Sequence, residues 1–181
     1  LHGTIEEIAA AINNNEEIFM SKWEIKNTDE QFFKEVKEFE GTIAYQKKLG
    51  YFKNDKFWVY KDSLGLDTIG YGHLVRPGEN FKSGLTEAEA DALLIKDAQS
   101  AYNDAKSIYD QFGMTAPVKV QRVLWLMVFQ MGKSKVLNFK KAMAALGRGD
   151  YKTAGKEMRD STWYKQTTSR AEQMARIVES V

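Results

Sequence analysis

The chain has 181 residues, of which 43% are hydrophobic and 12% aromatic, a composition typical of one folded domain rather than a disordered segment. It contains no cysteine, which excludes disulfides, thiolate metal ligands and a cysteine nucleophile. No apolar run approaches the roughly 20 residues that span a bilayer, and no signal-peptide core is present. The start at Leu1 rather than methionine suggests a processed or excised fragment, which leaves an upstream targeting signal or partner domain open.

Charge is unevenly distributed, although the formal net charge is only +1. Residues 117–181 hold 13 Lys and Arg against 5 Asp and Glu, so the C-terminal part is basic. A basic face could attract a polyanion such as nucleic acid, an anionic membrane or a cell-wall polymer. A solvated, lysine-rich helix surface is the more common explanation, and no nucleic-acid recognition motif accompanies the charge. We therefore expect neither nucleic-acid binding nor membrane insertion.

The first 30 residues are predicted to be a helical extension or linker. Thr4 and Glu7 form a capping box that opens a short helix, and three asparagines at positions 13–15 end it. A second helix begins where Thr28 and Gln31 frame another start. Apolar residues at helical spacing continue it to Glu40, which falls in the last turn before Gly41.

The region from Thr42 to Val75 predicts a small antiparallel sheet. Its aromatic and β-branched residues are interrupted by Gly, Asn and Asp, which is the pattern of short strands joined by turns. The segment FKNDKFWVY is typical of a hairpin that turns at Asn54 and Asp55.

The rest of the chain is predicted to be helical. Thr86 and Glu89 form a capping box, and apolar residues at steps of four and three follow until Gly113, which predicts one helix of roughly 25 residues. Such a helix can join two lobes and leave a cleft between them. The run VLWLMVFQMG is apolar on nearly all sides and predicts a buried helix in the C-terminal lobe. A Ser169/Glu172 capping box is expected to start a late helix.

Taken alone, the acidic residues are weak evidence for chemistry. Glycoside hydrolysis needs two carboxylic acids on different elements, one to protonate the leaving oxygen and one to serve water or the sugar. Glu40 alone is more often a solvated helix-end acid, and Asp62 in KDSLG is more often the first residue of a turn. His73 could be a hydrogen-bonded core histidine. Because His2 is far away in sequence and cysteine is absent, we expect no metal site.

Several motifs, read together, change this balance. The segments FEG and VYKDSLGLDTIGYGHL, followed by MVFQMG and WYKQTTSRA, resemble the T-even bacteriophage lysozymes, glycoside hydrolase family 24, over about residues 31–178. The resemblance implies an α+β, mostly helical fold in which a small antiparallel sheet lobe and a helical lobe are joined by a long helix, with the active-site cleft between them. The lysozyme domain would be 31–181, divided into 31–85, the connecting helix 86–112, and 113–181.

The resemblance also implies a role for individual residues. Glu40 would be the general acid, and Asp62 with Thr68 would position and activate the attacking water. The other implied assignments are Arg170 as the partner of the catalytic glutamate, His73 and Asp97 as a structural pair outside catalysis, and Phe129 and Gln130 as residues lining the sugar cleft. No cofactor or metal is implied.

The proposed roles have physical requirements. Glu40 must keep its proton near neutral pH, which needs partial desolvation, whereas Asp62 must stay ionised. The Thr68 hydroxyl, six residues after Asp62, can hold a water beside that carboxylate. A carboxylate that attacked the sugar directly would not need such a water, so the arrangement favours inversion.

The sequence departs from the family between the two acids. Glu40 and Asp62 are 22 positions apart where the family has nine, so about 13 residues around TIAYQKKLGYFKN are extra. We expect them to form an outward hairpin extension. The insertion leaves Glu38 as the rival for the general acid. The first 30 residues have no counterpart in the family.

The resemblance implies a muramidase that cleaves the β-1,4 bond between N-acetylmuramic acid and N-acetylglucosamine of bacterial peptidoglycan. It would be either a lysis enzyme, held in the host cytoplasm until its release to the periplasm, or a module of a phage tail, and in both cases it would act on the periplasmic wall. Other phage structural proteins or an inhibitor stay open as partners. The alternative function is a non-catalytic peptidoglycan-binding or structural module of a tail assembly, against which the intact Glu40, Asp62 and Thr68 argue.

Overall fold

The structure is a computed structural model that describes residues 4–9 and 22–181. The chain forms two compact units, which we call the β unit, Asn27–Asn103, and the helical unit, which comprises the described residues up to Lys26 together with Asp104–Val181. The fold is α+β and mostly helical, as predicted. Within the described ranges, no helix combines the length and the apolar character needed to cross a membrane.

The β unit contains six short strands in two sheets rather than the single sheet that the sequence predicts. The strands are β1 Phe52–Lys53, β2 Lys56–Phe57, β3 Tyr60–Lys61, β4 Asp67–Ile69, β5 His73–Leu74 and β6 Leu85–Thr86. One antiparallel sheet has the order β1-β2-β6 and the other the order β3-β4-β5. Because β2 pairs with the distant β6, and not with β3, the ladder is interrupted at Trp58 and Val59.

The β1–β2 hairpin is confirmed. Phe52 pairs with Phe57 and Lys53 with Lys56, so only Asn54 and Asp55 remain in the loop. Both loop residues have positive φ, 53° and 57°, which is the conformation of the two-residue turn that matches the twist of hairpin strands.

Most of the inserted residues form a helix rather than the expected hairpin extension, and only Phe52–Lys53, at the end of the segment, belong to a hairpin. The helix Ile43–Leu49 starts at Thr42, whose side chain accepts a hydrogen bond from the Tyr45 N–H at 3.2 Å, and it ends at Gly50 with φ 80°. Aromatic residues suggested strands here. The cap, together with the helix-forming Ala, Gln, Lys and Leu side chains of IAYQKKL, outweighs them.

The helix Glu30–Glu40 ends where the sequence predicts but begins at a different cap. Asp29, not Thr28, is the N-cap, and its carboxylate accepts a hydrogen bond from the Phe32 N–H at 2.9 Å. At the other end, the Gly41 N–H donates to the Lys37 carbonyl at 3.0 Å. Glu40 is therefore the last helical residue.

Two capping boxes have the predicted reciprocal bonds. Between Thr4 and Glu7 both bonds measure 3.1 Å, and residues 5–9 are helical, whereas the asparagines at 13–15 lie outside the described residues. Between Thr86 and Glu89 the bonds measure 3.0 and 3.2 Å. They open the helix Glu87–Gln111, which has 25 residues and confirms the long predicted helix.

The helical unit is organised around a buried helix. Its helices are Val118–Met131, Lys133–Leu137, Lys140–Gly147, Tyr151–Arg159, Thr162–Gln166 and Thr168–Glu179, in addition to the end of Glu87–Gln111. Buried positions run along most of Val118–Met131, including Leu124, Trp125 and Met127 at 2% exposure or less. The apolar run therefore forms the central helix of this unit, as predicted.

The Ser169/Glu172 capping box is wrong. The last helix begins at Thr168, and its N-cap, Thr167, makes no side-chain capping bond. Glu172 instead accepts hydrogen bonds from the side chains of Arg159, Tyr164 and Arg176. Charge-assisted bonds of this kind are stronger than a neutral cap, which explains why the carboxylate turns away from the helix start.

Candidate active site

Glu40 lies against a glycine turn of the sheet β3-β4-β5. A methyl group on Gly72, in the turn between β4 and β5, would lie 2.6 Å from Glu40 Oε2 and 2.7 Å from Cδ. Gly72 also has φ 81°, a conformation that side chains rarely adopt. Only glycine therefore allows the carboxylate of Glu40 to approach this turn so closely.

Glu38 is the weaker candidate for the general acid. It is exposed, whereas Glu40 is half-buried. Two residues of an α-helix are separated by about 200° of rotation, because each turn takes 3.6 residues, so the two side chains leave the helix on nearly opposite sides. The Gly72 turn lies on the side of Glu40.

Asp62 begins the turn that joins β3 to β4. Its Oδ1 accepts hydrogen bonds from the N–H groups of Leu64 and Leu66, each at 2.9 Å, and its own N–H donates to the Leu66 carbonyl at 2.9 Å. Asp62 is thus a turn residue, as the composition of KDSLG indicates. Because both side-chain bonds end on Oδ1, they fix the orientation of the carboxylate and leave Oδ2 outside the turn's own hydrogen bonds.

Thr68 shares a face of the hairpin with Asp62. Tyr60 pairs with Thr68, and the Asp62–Leu66 backbone bond continues this ladder, so Asp62 and Thr68 are diagonal neighbours across the two strands. Diagonal positions are about 7 Å apart, which leaves room for a water between the two side chains. The Thr68 hydroxyl donates to the Leu66 carbonyl at 3.1 Å, so its oxygen can still accept a hydrogen bond. Thr68 is only 3% exposed.

His73 forms hydrogen bonds with two carboxylates. Nδ1 lies 2.7 Å from Asp97 Oδ2, and Nε2 lies 3.0 Å from Glu79 Oε1, while the ring is 6% exposed. The hydrogen bond to Asp97 raises the pKa of His73 above 6.5, burial opposes this, and the Glu79 bond adds to it. Since a neutral imidazole can donate only one hydrogen bond, both carboxylates are satisfied only by the protonated ring.

Glu79 was missed by sequence reasoning. It lies in the loop after β5, where its Oε1 also accepts the Arg76 N–H at 2.6 Å. Burial raises the pKa of Glu79, but the Arg76 N–H and His73 together lower it below 4.5. The sequence shows only an acidic residue six positions after His73, and this spacing is too common to identify Glu79 as a partner of His73.

Three of the expected residues belong to the helical unit. Phe129 and Gln130 lie near the end of the helix Val118–Met131, and Arg170 lies in the first turn of Thr168–Glu179. All three are half-buried. Gln130 Oε1 accepts a hydrogen bond from the Trp163 indole N–H at 3.0 Å, which fixes the orientation of its amide. The roles of Phe129 and Gln130 in sugar binding, and of Arg170 beside the catalytic glutamate, stay predictions.

The β unit thus holds Asp62 and Thr68 on the β3–β4 hairpin and places the Glu40 carboxylate against the Gly72 turn of the same three-stranded sheet. Within the described part of the chain, no group of three or more His, Cys, Asp or Glu side chains is placed to hold a metal ion. The phage lysozyme family matches residues 52–177. Because this match covers more than half of the chain, the chain belongs to the phage lysozyme family. The matched range includes Asp62 and Thr68 but begins after Glu40.

Individual relatives agree with this assignment. A probable T4-type lysozyme of Dictyostelium discoideum is 29% identical over 159 residues, covering 73% of this chain and 91% of that protein. The pre-baseplate central spike protein Gp5 of Enterobacteria phage T4 is 31% identical over 142 residues, covering 66% of this chain and 25% of that protein. Peptidoglycan hydrolase gp36 of Pseudomonas phage phiKMV is 28% identical over 130 residues, covering 71% of this chain and 14% of that protein.

Proposed function

We propose that this protein is a peptidoglycan hydrolase, and specifically a muramidase that cleaves the β-1,4 bond between N-acetylmuramic acid and N-acetylglucosamine within the glycan strand. The observation that carries the proposal is the position of the Glu40 carboxylate on the Gly72 turn of the sheet that also holds Asp62 and Thr68. Membership of the phage lysozyme family supports it. So does the name of the phiKMV relative, a peptidoglycan hydrolase.

In the proposed mechanism, Glu40 donates its proton to the glycosidic oxygen while the bond to the anomeric carbon breaks. A water held between Asp62 Oδ2 and the Thr68 hydroxyl attacks the anomeric carbon from the opposite face. Asp62 accepts the proton that this water loses, and a return of protons through solvent restores both acids. The diagonal spacing of Asp62 and Thr68 supports a water between them, and therefore inversion, in which the product is first released as the α-anomer.

The biological setting that we propose is phage-driven degradation of the bacterial cell wall. The substrate would be peptidoglycan in the periplasm, reached either by an enzyme released from the host cytoplasm during lysis or by a module carried on the virion tail. The similarity to a central spike protein supports the second route and suggests other phage structural proteins as partners.

The proposal is tested by adding the purified protein to isolated sacculi and analysing the released fragments by mass spectrometry. Fragments with reducing muramic acid ends are expected. Anhydro-muramic ends would instead identify a lytic transglycosylase, and binding to sacculi without release of fragments would identify a non-catalytic module. NMR of the first product decides the stereochemistry, because an initial β-anomer or a sugar trapped on Asp62 would contradict inversion.

A further inference from the structure

A buried glutamine of the inserted helix connects the two backbone segments that meet at Glu40. Gln46 is 1% exposed, and its Nε2 donates to the Gly41 carbonyl at 2.9 Å and to the Gly70 carbonyl at 3.0 Å. Gly41 directly follows Glu40, and Gly70 belongs to the same turn as Gly72. One side-chain amide therefore fixes the end of the catalytic helix to the turn on which the Glu40 carboxylate lies.

The hydrogen bonds of Gln46 explain why this residue is a glutamine. Its amino group has two hydrogens, and two carbonyl oxygens accept them. Its Oε1 is buried and, among the described residues, has no hydrogen-bond partner. A buried polar atom without a partner costs stability. Glutamine at position 46 therefore costs some stability through its buried Oε1, but it donates two hydrogen bonds at once.

These contacts form a closed loop around the acid. From Glu40 the chain continues to Gly41, and the Gln46 amide joins Gly41 to Gly70. Two residues later, Gly72 lies so near the Glu40 carboxylate that an added methyl group would overlap it. A methyl group on Gly41 would lie 3.3 Å from Gln46 Cγ, so the glutamine also packs closely against the residue after the acid. Movement of either backbone segment would change the position of the carboxylate relative to Asp62 and Thr68.

We infer that Gln46 is a positioning residue for the general acid: its amide sets the location of the Glu40 carboxylate on the β4–β5 turn. This inference rests on the proposed function, since it assumes that Glu40 is the acid. It also gives the insertion a role, because the helix Ile43–Leu49 supplies the residue that holds Glu40 to the sheet despite the longer connection to Asp62.

The test is a steady-state comparison of Gln46→Met with the wild-type protein on soluble peptidoglycan fragments. Methionine fills a similar volume but cannot donate to either carbonyl. We expect kcat to fall on the order of ten- to a hundredfold while KM stays within about twofold, because a small displacement of an acid slows the chemical step without removing contacts to the sugar. Gln46→Asn keeps an amide but is one methylene shorter, so its kcat should lie between those of the wild type and Gln46→Met. This variant replaces Gln46→Met in the test if Gln46→Met does not fold.

The matched control is Gln121→Met in the helical unit. Gln121 is also 1% exposed, and its amide forms hydrogen bonds with the backbone of Glu24, Ile25 and Ala116, none of which belongs to the two segments that meet at Glu40. This variant should lower the melting temperature and leave kcat of the folded protein unchanged. A folded Gln46 variant with wild-type kcat, or one that changes only KM, would overturn the inference alone. An inactive wild-type protein would overturn the proposed function as well, so the two failures are distinguishable.

Discussion

The interior of the β unit and the interior of the helical unit are stabilised by different kinds of interaction. Four buried side chains of the described residues are polar or charged, and three of them, Gln46, Thr68 and His73, lie in the β unit, against Gln121 alone in the helical unit. The strands of the β unit have only two or three residues each. In the helical unit, burial runs along most of the helix Val118–Met131.

The two units therefore have different structural roles. Directional hydrogen bonds and glycines with positive φ fix the positions of particular polar groups, whereas apolar burial is non-directional and contributes mainly to stability. Substitutions of Glu40 and of the groups that position it should therefore change activity, and substitutions at the His73 pair should change how stability depends on pH. Substitutions in the core of the helical unit should change stability alone. The predictions below test this separation, beginning with the largest effect.

The largest effect is expected from Glu40→Gln. Glutamine keeps the shape of the side chain but cannot donate the proton, so kcat should fall by about a thousandfold. The melting temperature should change little, because Glu40 is half-buried at a helix end. Glu38→Gln is the control and should stay near wild type. If Glu38→Gln abolished turnover and Glu40→Gln kept it, the assignment of the acid would be reversed.

In the helical unit, Leu124→Ala should cost about 3 kcal/mol in the free energy of unfolding, because it opens a cavity in the core. Leu124 is 2% exposed. Denaturant unfolding measures the loss, and kcat per folded molecule should not change. Ile95→Ala, at a position 59% exposed, is the control and should change stability by less than about 0.5 kcal/mol. A fall in kcat of the folded Leu124 variant would contradict the separation of the two units.

Sequence reasoning predicted best those features that local patterns determine. The helix Glu87–Gln111 follows from a capping box and a sustained apolar period, and the β1–β2 hairpin follows from Asn54 and Asp55. The position of Glu40 at a helix end follows from Gly41. Each of these features depends on residues close together in the chain, so the sequence contains the whole signal.

The errors fall where distant residues compete with a local pattern. Ser169 and Glu172 have capping-box spacing, but Arg159, ten or more residues earlier, binds the glutamate instead. The second sheet depends on pairing between β2 and β6, which are separated by a long stretch of chain. Gln46 is an ordinary surface residue by type, and only the fold shows that its amide meets Gly41 and Gly70.

A smaller and pH-dependent effect is expected in the β unit from Asp97→Asn. It removes the charge that lies 2.7 Å from His73 Nδ1, and the loss should be about 2 kcal/mol near pH 6. The raised pKa of His73 stabilises the folded protein below pH 6.5, and that contribution is lost as pH rises through the raised value. The melting temperature of the wild type should therefore fall as pH rises above 6.5.

The control for Asp97→Asn is Asp110→Asn on the same long helix. Asp110 forms an exposed pair with Lys106 at 2.8 Å, so its loss should cost less than about 0.5 kcal/mol. Thermal unfolding between pH 5 and 9 compares the two variants with the wild type. Equal losses in both variants would show that His73 and its carboxylates contribute no more than a surface pair. A large loss of kcat in folded Asp97→Asn would instead assign the pair to catalysis.

The smallest effect is expected in the helical unit, from Glu172→Gln. Hydrogen bonds from Arg159, then from Tyr164 and Arg176, lower the pKa of Glu172 from 4.5 to about 2. A lowered carboxylate pKa stabilises the folded protein above pH 4.5, and this contribution is lost as pH falls towards 2.

The melting temperature of the wild type should accordingly be slightly higher than that of Glu172→Gln at neutral pH. The difference between the two melting temperatures should disappear as pH falls from 4.5 towards 2. Glu157→Gln, in the same unit and without an ion pair among the described residues, should show no such difference at any pH. The effect is small because the carboxylate is only partly buried, with 24% of its side chain exposed, and because Arg159 keeps its second partner, Glu179. A difference in melting temperature that widened on acidification would show that the neighbours of Glu172 do not lower its pKa. Apolar burial would then be the main source of stability in the helical unit, without a polar contribution from Glu172.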